Sequence, residues 1–317
     1  MDRHTTRDEK FDLVDDSEAR PTSQTEGMSS TSRTVGLGRA AAEAAARAAF
    51  RGGIEIKSLE GLDAITDVAS LFRTIWGPDE QDLIGVSTLR ALAHSGNYLS
   101  GAYLEGELIG ANVGFLGWYE GTLQLHSHIL GVLPMARGRN VGFALKQHQR
   151  AWCIERDIFK VTWTFDPLVS RNAYFNLTKL GASVTSYYVG FYGTMNDQIN
   201  GQDESDRVLV EWTLDSPRAV AASVGEHEIP DESSFVDRGG EVILQVGPDG
   251  APVERPASSN TLLVGIPADV VQLRRDDKDR AAMWRRSSRA ALQPSLNDGY
   301  AIQAMTRSGY YVLERVS

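Results

Sequence analysis

Between residues 123 and 149 the chain reads LQLHSHILGVLP, then MARGRN, then VGFALKQHQ, and its residue types suit two kinds of chemistry. In the middle segment Gly138 can take backbone angles closed to other residues, Asn140 tolerates a left-handed turn better than most, and Gly142 has no Cβ to block close approach. Several backbone N–H groups can then converge where the positive end of a helix dipole begins, beside Arg137 and Arg139, which makes an anion site suited to a phosphate. An ordinary strand-to-helix turn is the other reading of the same residues, and a short glycine motif alone does not separate the two. The second chemistry is proton transfer by His126 and His128, which share one face of a strand at a spacing of two. A buried hydrogen-bonded histidine, a general base and a metal ligand are the three roles open to each. No convincing third ligand accompanies the pair, so no metal is expected.

The pattern Val132-Leu133-Pro134, followed by Arg137-Gly138-Arg139-Asn140-Val141-Gly142 and Ala144-Leu145, resembles the signature of the GNAT acyltransferase superfamily. That family has Arg or Gln, two residues, Gly, one residue, then Gly or Ala; here Asn140 stands at the middle glycine. The likeness extends through TWTFDPLVSRNAYFNLTKLGA, YVGFYG, SDRVLVEWTLDSPR and IPADVVQLRRDDKDRAAMWRRSSR, and covers nearly everything from Ile54 onward. It implies a GNAT-like α/β fold, a mixed sheet flanked by helices, with a small C-terminal α+β appendage.

It also implies a set of site residues. The turn at Arg137, Gly138, Arg139, Asn140, Val141 and Gly142 would hold the pyrophosphate of acetyl-CoA or another acyl-CoA, and the strand at Leu130 and Val132 would offer a backbone N–H to the oxyanion. On that strand His128, or failing it His126, would accept the proton of the amine, with Asp166 next in line. Superfamily members supply an Asn near the start of the helix after the fifth strand and a Tyr late in it, the Tyr protonating the departing thiolate. Here those positions hold Ser170 and Leu177, and Asn172 and Tyr174 stand nearby as substitutes. Each has a plainer alternative, a surface amide and a core-edge tyrosine. The activity implied is acyl-CoA-dependent transfer of an acetyl, succinyl or other acyl group to a primary amine, of a small molecule such as an amino acid. A GNAT-like module that binds acyl-CoA or a partner without turnover is the alternative.

The elements that must position these residues follow from periodicity. A strand at 54–57 leads to a helix at 63–76, in which Leu62, Ile65, Val68, Ala69, Phe72, Ile75 and Trp76 recur at helical spacing. A second helix at 87–94 and strands at 98–105 and 107–116 precede the histidine strand. In it Leu123, Leu125, Ser127 and Ile129 should face one way, and Gln124, His126, His128 and Leu130 the other. The helix from 141 to about 156 and the strand at 161–165 complete a strand-helix-strand unit with parallel strands. Asp166 then lies beyond a carboxyl end, where ligands of open α/β sheets gather; a turn residue bonding nearby backbone is its other role. Ser170 is placed to cap a helix at 171–180 that Gly181 ends. Strands at 184–192 and 208–214 follow. From 215 to 260 the composition turns to Pro, Gly, Ser and Glu around one small hairpin at 248–250. A strand ending at 266–267, a helix at 268–292 and strands at 300–305 and 310–313 close the chain. Trp284, Arg285 and Arg289 on that last helix can reach an acidic substrate, or present a solvated face.

Three regions result: a disordered, then Ala-rich tail (1–53), the acyl-CoA-binding domain (54–217) and the C-terminal extension (218–317). The tail is polar to residue 28, too poor in apolar surface to repay ordering, and its alanines at 38–50 favour a docked or transient helix. Composition bounds the rest. With 317 residues, 42% hydrophobic and 23% charged, the chain is long enough for a large core. Its net charge of −10 argues against nucleic acid as the main partner, because phosphate neutralisation needs a dense basic face. The single cysteine, Cys153, excludes an internal disulfide and reads as a buried hydrophobe. No apolar run approaches a membrane span and the first residues carry no signal-peptide core, so no membrane partner and a cytoplasmic location are expected.

Overall fold

The structure, a computed structural model, describes residues 24–77, 84–119, 121–193, 204–256 and 258–316. Twelve strands form one sheet: β1 (Glu55–Ser58), β2 (Tyr98–Leu104), β3 (Glu107–Tyr119), β4 (Thr122–Val132), β5 (Lys160–Phe165), β6 (Ser183–Tyr188), β7 (Arg207–Thr213), β8 (Glu241–Val246), β9 (Pro252–Glu254), β10 (Thr261–Gly265), β11 (Tyr300–Met305) and β12 (Tyr310–Arg315). Their order across it is β1-β2-β3-β4-β5-β7-β6-β11-β12-β10-β8-β9. The β4–β5 and β8–β10 pairs are parallel and the others antiparallel, so the sheet is mixed. The helix α4 (Val141–Ile154) makes the crossover that the parallel β4–β5 pair requires.

Helices pack on both faces. On one, α2 (Leu62–Trp76) and α3 (Val86–His94) bury Ile65, Val68, Phe72 and Leu89 against Leu99, Ala111 and Val113. On the other, α4 lies against the sheet and α1 (Gln24–Gly52) lies against α4. Ala41, Ala44, Ala45 and Ala48 of α1 are all buried, at steps of three and four that put them on one side of the helix. Small side chains let the two axes approach closely. The Ala-rich segment is thus a docked helix, and it already includes residues 24–28, which composition alone placed in a disordered tail. The expectation for residues 1–23 lies outside the described residues.

Sandwiched between α1 and the sheet, α4 buries side chains that its pattern marks as polar: Lys146, Gln147, Gln149 and Arg150. Of the apolar residues whose spacing predicts a stripe along this helix, Val141, Ala144 and Leu145 are buried and Ala151 and Trp152 are half-buried.

Several local expectations are corrected. The β3–β4 register runs Val113 to Ile129 and Gly114 to Ser127, so His128 is an extra residue in a β-bulge. The bulge reverses the alternation beyond it: Ile129 joins the α2 cluster and Leu130 packs with Val141 and Leu145 under α4, the opposite of the period-two reading. The helix after β5 is α5 (Ser170–Ala173) continued by a π-helical segment, Tyr174–Lys179. Ser170 is its first residue and makes no side-chain cap, while Gly181 ends it at φ 71° as expected.

The C-terminal section is α+β, and its strands extend the same sheet through a short β6–β11 contact at Val184 and Ile302. The stretch expected to carry only a hairpin also forms α6 (Pro217–Val224) and α7 (Glu232–Asp237). The single helix expected at 268–292 is two, α8 (Val270–Asp276) and α9 (Lys278–Asn297), because the Asp277 carboxylate accepts from Arg280 N and starts α9 afresh.

Candidate active site

The parallel ladder between β4 and β5 is short. Leu125 faces Val161 and His126 faces Thr162, and there it ends. Beyond Ser127 the β5-facing edge of β4 has no ladder partner among the described residues, and the chain runs on to the turn and α4. Two strands that part in this way leave backbone N–H groups unpaired and open a gap at their carboxyl ends.

The turn stands at the mouth of that gap. Gly138 has φ 87° and Asn140 φ 56°, so both take the left-handed conformations their residue types allow. Asn140 occupies the N-cap position of α4 without a side-chain cap, which leaves the first-turn N–H groups of α4 to an outside acceptor. Arg137, Gly138, Arg139 and Asn140 are all exposed. A Cβ built on Gly142 would meet Leu130 Cδ2 at 3.6 Å and Phe175 Cζ at 3.9 Å, so Leu130 and Phe175 sit beside the first turn. From behind, α1 braces the loop: a Cβ at Gly52 would stand 2.8 Å from the Arg139 carbonyl oxygen.

The two histidines do share a face, across the sheet from α4. The Phe115 ring on β3 lies 5.1 Å from His126 and 5.8 Å from His128, and the imidazoles are 6.3 Å apart. His126 Nδ1 is 3.4 Å from Thr162 Oγ1. Burial, then the neighbouring His128 and Lys146 charges, pull His126 down to about 4, and crowding of the ring lowers His128 as well. Both are therefore neutral imidazoles at neutral pH, the state a proton acceptor needs. Among the described residues no group of three His, Cys, Asp or Glu side chains is placed to hold a metal ion.

The floor continues with Thr164, whose hydroxyl lies 3.3 Å from Tyr192 Oη. Tyr192 belongs to an aromatic loop after β6, and the Arg207 guanidinium stands 5.3 Å from its ring. Ser205 and Asp206 hold that loop, accepting from Tyr192 N at 3.0 Å and Gly190 N at 3.1 Å. On the opposite flank the end of α2 presses on β4: a Cβ at Gly131 would fall 2.8 Å from Ile75 Cδ1 and from the Trp76 ring.

Other candidates go elsewhere. Asp166 is buried and accepts four hydrogen bonds: Leu168 N at 2.9 Å, Arg285 Nη1 and Nη2 both at 2.8 Å, and Arg274 Nη2 at 2.5 Å. Its turn role is real, through Leu168, and its carboxylate is committed to two guanidiniums. Arg285 and Arg289 neither reach an acidic substrate nor present a solvated face. Arg285 pairs with Asp166, and Arg289 pairs with Glu204 and makes a two-pronged contact with Asp206 at 2.8 and 2.9 Å. Trp284 is buried and donates to Gly250 O at 3.0 Å. Tyr174 is half-buried with its hydroxyl accepting from Arg307 Nε at 3.5 Å, Asn172 is exposed, and Leu177 at the tyrosine position is buried.

One residue escaped the sequence reading. Lys146 of α4 donates to Ser127 Oγ at 2.8 Å and to Gln149 Oε1 at 3.1 Å, with its ammonium 3.7 Å from the Trp163 ring centroid. Burial pulls it down to about 7, with the Cys153 thiol acting the other way. A lysine on a helix reads as a solvated end; the available signal was its place one turn after Gly142, on the face that Ser127 opposes.

The strand order, the crossover through α4 and the turn at its start agree with the mixed sheet flanked by helices expected from the sequence, in the half of the chain that carries the site. No model of a known protein family matches the chain, and no curated protein matches it. Among solved structures it is similar to Arabidopsis thaliana Naa50 in complex with a bisubstrate analogue, CoA-Ac-MVNAL, at 17% identity and a TM-score of 0.41, over 50% of this chain and 97% of that one. It is also similar to an aminoglycoside acetyltransferase from an uncultured soil metagenomic sample in complex with sisomicin, at 18% identity and a TM-score of 0.33, over 36% of this chain and 78% of that one. Ard1 from Thermoplasma volcanium is a third, at 17% identity and a TM-score of 0.39, over 50% of this chain and 96% of that one.

Proposed function

We propose that this protein is an acyl-CoA-dependent N-acyltransferase that moves an acetyl, succinyl or other acyl group to the primary amine of a small molecule. The observation that carries the reading is the coincidence of an uncapped helix start, flanked by Arg137 and Arg139, with the parting of β4 and β5 beside a bulged His128. The first-turn N–H groups and the two arginines fit a pyrophosphate, and the open edge of β4 near Leu130 and Val132 fits an extended acyl-bearing arm.

The chemistry asks little covalent help of the protein. The amine nitrogen bonds to the thioester carbonyl carbon, an N–H on the open edge of β4 stabilises the oxyanion, and a neutral His128 or His126 takes the proton the nitrogen sheds. The C–S bond then breaks and the thiolate leaves with a proton, for which Tyr174, three residues before the motif position, offers a phenolic hydroxyl. Arg285 and Arg289 are spent on Asp166 and Asp206, so a free amino acid has no special claim over other small amines.

A second reading, acyl-CoA binding without turnover, has one observation in its favour: Leu177 is buried where the motif expects a tyrosine. Titrating the protein with CoA, acetyl-CoA and succinyl-CoA in a thermal-shift assay, followed by thiol release against amino acids, polyamines and short peptides, separates the readings. A ligand at about 100 times its Kd adds about 2.7 kcal/mol to the folded state. Gly142→Glu, whose Cβ meets only ordinary contacts, is expected to fold and lose the shift. Binding with no release for any amine supports the second reading, and no binding at all ends both.

A further inference from the structure

We infer that Lys146 is a positioning residue for the proposed transfer: from α4 it clips β4 and β5 together where their ladder ends, and it holds a positive charge behind the imidazole of His126. The inference rests on the acyltransferase reading for its purpose and on independent geometry for its substance.

Lys146 is buried to 3% exposure, and the contacts of its ammonium are neutral. Ser127 Oγ belongs to β4, one residue past the last β4–β5 pair; the Trp163 ring belongs to β5, one residue past the same pair. One ammonium therefore touches both strands at the first position where the strands no longer bond each other. Ser127 in turn contacts Asn112 Oδ1 on β3 at 3.3 Å, so the clip reaches three strands. Filling volume does not require this: a leucine or methionine would occupy the site without the several kcal/mol that a buried cation loses in hydration. The charge has a neighbour to act on. On β4, His126 is the residue before Ser127, on the far side of the sheet, and Lys146 is among the groups that lower its pKa, after burial and His128. The other groups around Lys146 are Gln149 and Cys153 on α4, Asn112 on β3 and Trp163 on β5; those around His126 are His128, Phe115 and Thr162. Cys153 is held protonated by burial, and Lys146, lowered to about 7, is a cation throughout the more acid range in which His126 titrates.

The test compares Lys146→Met, Lys146→Arg and Ser127→Ala in the full-length protein. Imidazole NMR titration reads His126 and His128 one at a time, and amide hydrogen exchange reads the ladder. In K146M the His126 midpoint is expected to rise from about 4 by the smaller part of its depression, because burial and His128, the larger causes, remain. Amides of residues 125–128 and 161–164 are expected to exchange tenfold faster or more, with those of the β2–β3 pairs unchanged. The acid limb of kcat/KM should move up with the His126 midpoint while KM for the acyl-CoA changes less than threefold. K146R, which keeps the charge, should restore the midpoint. A folded K146M with wild-type midpoint and exchange overturns the inference, as does K146R behaving like K146M. If K146M does not fold, S127A decides: it keeps the charge and removes the anchor, so faster exchange at the same amides supports the clip and unchanged exchange sinks it. Loss of the acyltransferase reading shows separately, as a wild-type protein that binds no acyl-CoA.

Discussion

Replacing Asp166 by Asn should unfold this protein some degrees earlier without touching acyl-CoA recognition. The carboxylate is 5% exposed, and the side chains of Arg274 and Arg285 are 8% and 2% exposed. Burial works to raise its pKa, but the Arg285 charge and hydrogen bonds, with the Arg274 charge behind them, outweigh that and hold it at about 2 against an ordinary 3.8. At about 1.4 kcal/mol per pKa unit, a shift of that size contributes on the order of 2 kcal/mol. The folded-state value is depressed, so the contribution is whole above pH 3.8 and disappears as pH falls through about 2. Asn supplies an amide donor to a site already holding four donors and removes the carboxylate charge that faces two buried guanidiniums, for a loss of about 3–5 kcal/mol at pH 7. With roughly 2 °C of Tm per kcal/mol in a chain of this size, that is a fall on the order of 6–10 °C. The assay is calorimetry or urea unfolding of both proteins at pH 7 and pH 3. The gap should narrow by roughly 1 kcal/mol at the lower pH, where the unfolded wild-type chain is mostly protonated at this residue. A variant with wild-type Tm at pH 7, or one that loses turnover with Tm unchanged, would refute the structural assignment and return Asp166 to the list of proton acceptors.

Two further perturbations bear on the site. Gly52→Ala sets a Cβ 2.8 Å from the Arg139 carbonyl oxygen and 3.3 Å from Ile54 Cγ1; the obstruction is backbone, so the turn must shift, at about 1–3 kcal/mol. Acyl-CoA affinity should fall at least fivefold by calorimetric titration, while Gly61→Ala, with nothing within 4 Å of its Cβ, leaves affinity unchanged. His128→Gln and His126→Gln should each lower kcat more than acyl-CoA affinity. Because both histidines sit below 6.5, the wild-type kcat/KM should stay level from pH 7 down to 6.5 and drop only below it. An acid limb above 6.5, or wild-type rates in both variants, places the proton acceptor elsewhere.

The parts of the fold that were legible in the sequence are those where a local pattern and a long-range partner ask for the same thing. Helix α2 shows this: Ile65, Val68 and Phe72 recur at helical spacing, and the same residues are buried on β2 and β3. The docking of α1 was half legible. Its alanines favoured a helix, but a partner was needed, and α4, against which it packs, buries Gln147, Gln149 and Arg150 and so shows no apolar outer face in its sequence. No amphipathic pattern marks a helix covered on two sides. The arginines of α9 were misread for a related cause. Arg285 and Arg289 find their acids at Asp166 and Asp206, more than eighty residues away in the chain, and nothing local distinguishes an arginine with such a partner from one in solvent.

The site itself turns on a single residue of register. A strict alternation through β4 puts Ile129 with Leu125 and Leu130 with His126, and that reading holds as far as Ser127. The extra residue at His128 then flips the strand, sending Ile129 to α2 and Leu130 to α4. Period-two patterns cannot reveal a bulge, because a bulge is defined by the count of residues on the neighbouring strand, here β3. Its consequence is chemical as well as geometric. Leu130 and Val132 are carried to the side where the turn and α4 begin, Leu130 beside Gly142, while both histidines stay on the opposite face above Phe115 and Thr162. A regular strand would have left Leu130 on the histidine face and taken it away from the first turn of α4. The bulge is thus what allows one strand to serve the proposed phosphate turn with one face and the proposed proton acceptor with the other.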